Sequence, residues 1–211
     1  NAIDHGGDDV TVTAGTVTTS YLREHHAEDA VFVVGEPALV EQLTDAGLRV
    51  VTDERRADTV VVSIDRSFDY DRLTAALEAC ADETVTFVGT DPDTVIPQDG
   101  PDRPGSGAII HAMEGVIDRS VDVICGKPSA YARETVLDYL GVPAEDCLVV
   151  GDRLNTDIEL GAAAGMTTAL VTTGIMDRSA VADSAVTPDY IIDSLAELGA
   201  VIDGTAERYV A

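Results

Sequence analysis

The feature that most constrains this chain is an alternation. Short apolar runs recur along its length, and segments of helical period lie between them. AVFVVG (30–35), LRVVT (48–52), TVVVSID (59–65), VTFVGT (85–90), VDVICG (121–126), CLVVGD (147–152), TTALVTTG (167–174) and DYIID (189–193) read as strands. Their nearly continuous apolar character is that of strands covered on both faces. Residues 36–47 put Leu39, Val40, Leu43 and Ala46 on one helical face. Residues 70–81 do the same with Leu73, Ala76, Leu77 and Cys80, and residues 107–119 with Ile109, Ile110, Met113 and Val116. The segments 129–141, 156–165 and 194–202 also carry a helical pattern. Strand–helix alternation of this kind predicts an α/β chain built on parallel sheets wrapped by helices. With 211 residues it is long enough for one large domain or two small ones. The stretch DPDTVIPQDGPDRPGSG (91–107) breaks the pattern with four prolines and three glycines. Loops this long in compact proteins are functional or disordered.

Charge bounds the partners. The net charge is −26 and the isoelectric point about 4.1. Such a surface repels DNA and anionic membranes, so no nucleic-acid or membrane partner is expected. The apolar patterning excludes an acidic disordered tail. Abundant Asp, small apolar side chains and a single lysine resemble proteins of extreme halophiles, where molar salt screens charge over ~3 Å. No apolar run approaches the ~20 residues of a membrane span. The first residues show no basic start followed by an apolar stretch, so no secretory leader is read there. Cys80, Cys125 and Cys147 are far apart and form no CxxC pair, which argues against a disulfide framework or zinc site and for a cytoplasmic location.

Two stretches carry chemistry. In CLVVGDRLNTDIELGAAAGM (147–166) a buried strand ends at Gly151-Asp152 and a helix follows. Asp152 then sits at the carboxyl end of a parallel strand, where open α/β sheets bind ligands. Asp157, five residues later, falls in the first helical turn. Two carboxylates there suit Mg²⁺, which takes hard oxygen ligands and keeps waters; they equally suit a plain acidic helix start. In ICGKPSAYARETV (124–136), Lys127 follows a strand end at Gly126. The other 12 basic residues are all Arg. Pro128 restricts Lys127 to extended backbone and suits the first turn of the next helix. A compact cation so placed would neutralise a phosphoryl group and an attacking carboxylate. His25, His26 and His111 have no metal-ligand company and read as structural. Ser129 lacks a nucleophile elbow and reads as a helix N-terminal residue, and Cys125 as buried and inert. Gly105-Ser106-Gly107 is a flexible joint before a helix.

GKPS followed by VVGDRLNTDIELGAAAGMTTALVTTG resembles motifs three and four of the haloacid dehalogenase (HAD) superfamily, in its NagD-like or p-nitrophenyl phosphatase-like branch. VFVVGEPALVEQLTDAGLRVV resembles that branch's inserted α/β cap, and TFVGTDPDTVIPQDG with PGSGAIIHAMEG its cap substrate loop and following helix. The resemblance implies a doubly wound HAD-like core carrying a cap. Residues 1–13 would be the crossover from core to cap, 14–120 the cap, and 121–211 the C-terminal part of the core. It implies Mg²⁺-dependent hydrolysis of a small phosphomonoester: a sugar phosphate, phosphoglycolate or p-nitrophenyl phosphate. Lys127 would hold nucleophile and phosphate, Asp152 would ligate the metal, and Asp157 would orient its water shell. Asp91 and Asp93, in the cap loop, would bind substrate. Cap-mediated homodimers are common among look-alike proteins, so a homodimer is an expectation.

The superfamily's nucleophile lies in a DxDGT motif at the end of the first core strand, and no such motif occurs here. Asp4, Asp8 and Asp9 follow no apolar strand, and the Ser/Thr-Asn of motif two is also missing. The expectation is therefore that this sequence represents part of a longer chain. The alternatives are an inactive fragment and a complete non-catalytic relative that binds phosphate or nucleotide. Losing the first core strand would leave a sheet edge and apolar surface open.

Overall fold

A computed structural model describes residues 11–98 and 100–210. The first ten residues of the expected crossover, with Asp4, Asp8 and Asp9, lie outside that range, as do Asp99 and Ala211.

The described chain opens with α1 (Ala14–His25). Thr13 caps it by accepting a hydrogen bond from the Thr16 amide at 3.1 Å, and the Thr16 hydroxyl answers the Thr13 amide. There follow β1 (Ala30–Val34), α2 (Pro37–Asp45), β2 (Arg49–Val51), β3 (Thr59–Val62), α3 (Tyr70–Ala79) and β4 (Thr86–Gly89). A short antiparallel pair, β5 (Val95–Ile96) and β6 (Arg103–Pro104), precedes α4 (Ser106–Ile117) and β7 (Val123–Ile124). These strands, the hairpin apart, form a five-stranded parallel sheet in the order β2-β1-β3-β4-β7.

Its inner strands β1 and β3 are almost wholly apolar because both faces are covered, whereas the edge strand β2 begins with exposed Arg49. Val31 and Val33 point to one side and pack with Val17, Leu22, Leu39 and Leu43 of α1 and α2. Phe32 and Val34 point to the other and pack with Ala76, Ile110 and Met113 of α3 and α4. This is the period of two expected of a strand. Phe87, on β4, is fully buried. Its removal would open a cavity costing about 3–5 kcal/mol.

The chain continues through α5 (Ala130–Leu140), β8 (Leu148–Gly151), α6 (Glu159–Ala164), β9 (Thr167–Val171), β10 (Tyr190–Ile192) and α7 (Leu198–Ile202). The last three strands form a second parallel sheet, ordered β10-β9-β8. Ala169, Val171, Tyr190 and Ile192 cluster on one face with Val201, while Leu170 meets Leu154, Ile158 and Val181 on the other. Among the described residues β8 pairs with β9 alone, so its outer edge is open. Exposed Tyr139, Leu140 and Val142 lie in the chain just before it.

Three details differ from the sequence pattern. Val123 and Ile124 pair with Val88 and Gly89, so the strand expected to open the core belongs to the first sheet. The chain passes from the first sheet to the second between Ile124 and Leu148. The helix expected over 156–165 begins as a π-helical turn, Leu154–Ile158, before α6. Such wide turns recur at functional sites. The segment 194–202 divides into a 3₁₀ turn, Leu195–Glu197, and α7.

Candidate functional site

The parallel strands bring their carboxyl ends to one rim. Hydrogen bonds continue past the strand ends and hold that rim in register. The Thr90 amide donates to Val62 O at 2.9 Å, and the Gly126 amide to Thr90 O at 2.7 Å. The next residue is Lys127. Ser129 caps α5, its hydroxyl accepting from the Ala132 amide at 3.0 Å while donating to Cys125 O. Pro128 therefore precedes the cap, whereas the sequence pattern places it in the first turn. Strand and cap fix both sides of Lys127.

Its ammonium donates to Asp157 Oδ1 at 2.5 Å. Lys127 is 57% exposed and Asp157 13%, so the cation stands at an opening and the carboxylate beneath it. The sheet end and the loop after β8 thus meet in one ion pair, 30 residues apart in sequence. Two glycines let the carboxylates come close to the backbone. A Cβ on Gly151 would overlap the Asp157 side chain, and one on Gly174 would overlap that of Asp152. Asp152 Oδ2 also accepts the Ile175 amide at 3.1 Å, which ties it to the loop after β9.

Asp91, Asp93, Lys127 and Thr156 line one small cavity of about 140 Å³. Asp91 spends its carboxylate inside its own loop, accepting from Ser106 Oγ at 2.6 Å and from the Asp93 amide at 3.2 Å. Asp93 is ion-paired with Arg153, whose Nη2 also donates to Val95 O at 3.1 Å. The five expected site residues therefore share one region, in two groups. Lys127, Asp152 and Asp157 surround the strand ends. Asp91 and Asp93 build the loop beside them. Arg153 joins the groups. It stands inside the quoted GDRLNTDI motif, but its partner lies 60 positions away, a separation no spacing argument reaches.

Cys125 is fully buried, and burial pushes its thiol up to about 12, with a hydrogen bond to Thr18 pulling slightly the other way. It is buried, as expected. His26 is structural: its ring joins Asp29 at 2.8 Å and the Tyr21 hydroxyl at 3.1 Å.

The donor set can be tested against a divalent metal. Among the described residues no three His, Cys, Asp or Glu side chains converge on one point. Asp152 and Asp157 offer hard oxygens on one loop. Mg²⁺ is held in just this manner, by one or two carboxylates with waters and substrate oxygens completing its shell. The residues fit Mg²⁺ and are too few and too hard for a structural zinc.

A family model described as HAD-hydrolase-like matches residues 124–198. The sugar-phosphatase AraL of Bacillus subtilis is 30% identical over 187 residues, covering 89% of this chain and 68% of that protein. A p-nitrophenyl phosphatase from Archaeoglobus fulgidus superposes with a TM-score of 0.81 at 34% identity, over 91% of this chain and 76% of that one. NagD from E. coli K-12 superposes at 0.77 with 31% identity, over 90% and 75%.

Proposed function

Because this chain belongs to the haloacid dehalogenase-like hydrolases, in their NagD-like branch, we propose that it supplies the phosphate-holding and substrate-covering parts of a Mg²⁺-dependent phosphomonoester hydrolase. The observation that carries this reading is the Lys127–Asp157 pair, which joins the residues just past β7 to those just past β8, where Asp152 also stands.

The roles follow from charge and position. A phosphomonoester brings about two negative charges, which this strongly acidic surface repels. Lys127 is the local remedy, a point cation at the opening. When phosphate enters, the ammonium can bridge it and Asp157, and no buried charge is left alone. Asp152 and Asp157 would hold Mg²⁺, which would supply Lewis-acid stabilisation of the phosphoryl oxygens. Asp91 and Asp93 act on substrate through the loop they hold, which walls the cavity. Hydrolysis through an aspartyl-phosphate is proposed for the complete protein, since the sequence here contains no DxDGT nucleophile. That same lack favours a second reading, a binding module that takes phosphate without turning it over.

Titration calorimetry with inorganic phosphate and Mg²⁺, in molar KCl, tests the first claim. Binding is expected, and Lys127→Ala or Asp152→Ala should weaken it at least about tenfold. Binding indifferent to both substitutions would defeat the site. Release of phosphate from p-nitrophenyl phosphate then separates the readings. In the hydrolase, each substitution should lower turnover about a hundredfold or more. Mg²⁺-dependent binding with no turnover by the complete protein would establish the binding module.

A further inference from the structure

Among the described residues, two ion pairs tie the loop after β8 to residues just past strands of the first sheet. One is Lys127–Asp157. The other is Asp93–Arg153. Arg153 directly follows Asp152, and its Nη2 also donates to Val95 O at 3.1 Å. One largely buried guanidinium thus grips the chain at two points, just before β5 and within it.

The gripped segment is fastened from behind to the start of α4. The Gly105 amide donates to Thr94 O at 2.9 Å, and the Gly107 amide to Asp93 O at 2.9 Å. Ser106 Oγ donates to Asp91 Oδ2 at 2.6 Å. A Cβ on Gly105 would overlap Asp93 O, and one on Gly107 would overlap Pro92 O. Gly105-Ser106-Gly107 is therefore a close-packed seat for residues 91–94, where the sequence suggested a flexible joint. The seat sets the loop against its own sheet. Among the described residues, the polar contacts that set it against the loop after β8 both come from Arg153.

The same loop walls the cavity beside Lys127. Pro92 and Asp93 line it together with Lys127, and Val17, Ala132 and Val136 add apolar surface. Its volume, about 140 Å³, is close to the ~150 Å³ that holds a benzene ring in an apolar protein cavity. In a space this small, a gap of about 1 Å at one wall forfeits up to about half of each dispersion contact there. Resting on the phosphomonoester reading, we infer that Arg153 is a positioning residue. It holds residues 91–95 at the distance from Lys127 at which the organic part of the ester, with its phosphate on Lys127, packs against that loop. Arg153 acts through the loop and not by touching the phosphate. The pair also neutralises Asp93, which alone would repel an anion entering the cavity.

Methylphosphonate and phenylphosphonate test this, since they present one kind of anion without and with a ring and lack the scissile ester oxygen. Each is titrated calorimetrically with Mg²⁺ in molar KCl. Phenylphosphonate should bind about fivefold tighter or more. In Arg153→Met the ratio should fall to about one. Asp93→Asn should lower it as well, and the double variant should lower it no further than Arg153→Met alone, because both break one clasp. Gly105→Ala keeps both charges and displaces the loop from its other side, so it too should lower the ratio. A residue that merely supports the fold would weaken both probes together and leave the ratio standing. Equal binding of the two probes by the wild type, or a ratio unmoved by Arg153→Met or by Gly105→Ala, overturns the positioning role. The phosphomonoester reading fails separately, and visibly, if methylphosphonate does not bind or binds as tightly in Lys127→Ala.

Discussion

Cys125 sits two residues before Lys127, just past the strand that delivers it, and its chemistry is decided by surroundings alone. A thiol reacts as thiolate. With no exposed surface and a pKa pushed up to about 12 by burial, almost none is ionised near neutrality. Iodoacetamide at about pH 8 should therefore modify Cys125 only as fast as the protein unfolds, and mass spectrometry of the native protein should find it unlabelled. Rapid native labelling would mean that the strand end opens. Asp29 shows the opposite balance. Burial raises its carboxyl pKa, but hydrogen bonds from Thr59 at 2.7 Å and from His26 outweigh it, so the net displacement is downward. A carboxyl held low in the folded state adds stability above its ordinary range and loses it as pH falls through the folded value. Asp29→Asn should cost about 1 kcal/mol at neutral pH. Denaturant unfolding should show that cost shrinking as acid protonates the wild-type carboxyl. A cost independent of pH would remove the ionised state from the account.

At the scale of elements, the loop after β8 and the β5–β6 hairpin are joined by one side chain. Arg153 is 17% exposed and Asp93 34%, so the pair is screened less than a surface bridge. Its guanidinium also takes Val95 O, which a lysine cannot do in the same fork. A double-mutant cycle with Arg153→Met and Asp93→Asn should return a coupling of about 1 kcal/mol in unfolding. Additive effects would show two independent contacts. This clasp also marks what the sequence makes legible. The strands, the long helices and the trio Lys127, Asp152 and Asp157 follow from local pattern, because strand ends and helix starts are local events. The clasp, the Ser106–Asp91 bond and the pairing of β7 with β4 join residues 15 to 60 positions apart, and nothing in local periodicity encodes them. The π-helical turn at Leu154–Ile158 was hidden for a different reason: its apolar spacing passes for the first turn of an ordinary helix.

Over the whole molecule, 39 acidic residues face 13 basic ones. The apolar clusters on both sheets leave most of this charge at the surface, where like charges repel in the folded state more than in an expanded chain. Folding therefore works against its own surface, and the opposing energy depends on screening. The Debye length is about 10 Å at 0.1 M salt and about 3 Å at 1 M. Much of the repulsion should thus disappear well below 1 M. Salting-out of apolar surface by an excluded salt grows steadily with concentration instead. The two causes have different shapes, so a thermal titration separates them. In KCl the melting temperature should climb steeply over the first few tenths molar and then flatten. Replacing exposed Glu134, Asp138 and Glu145 together by their amides should raise the melting temperature at low salt and leave it nearly unchanged at about 2 M, where screening already hides those charges. A melting temperature insensitive to KCl, or a gain from the triple amide variant that persists undiminished at high salt, would show that the charge is borne without cost and that the surface owes its stability to something other than screening.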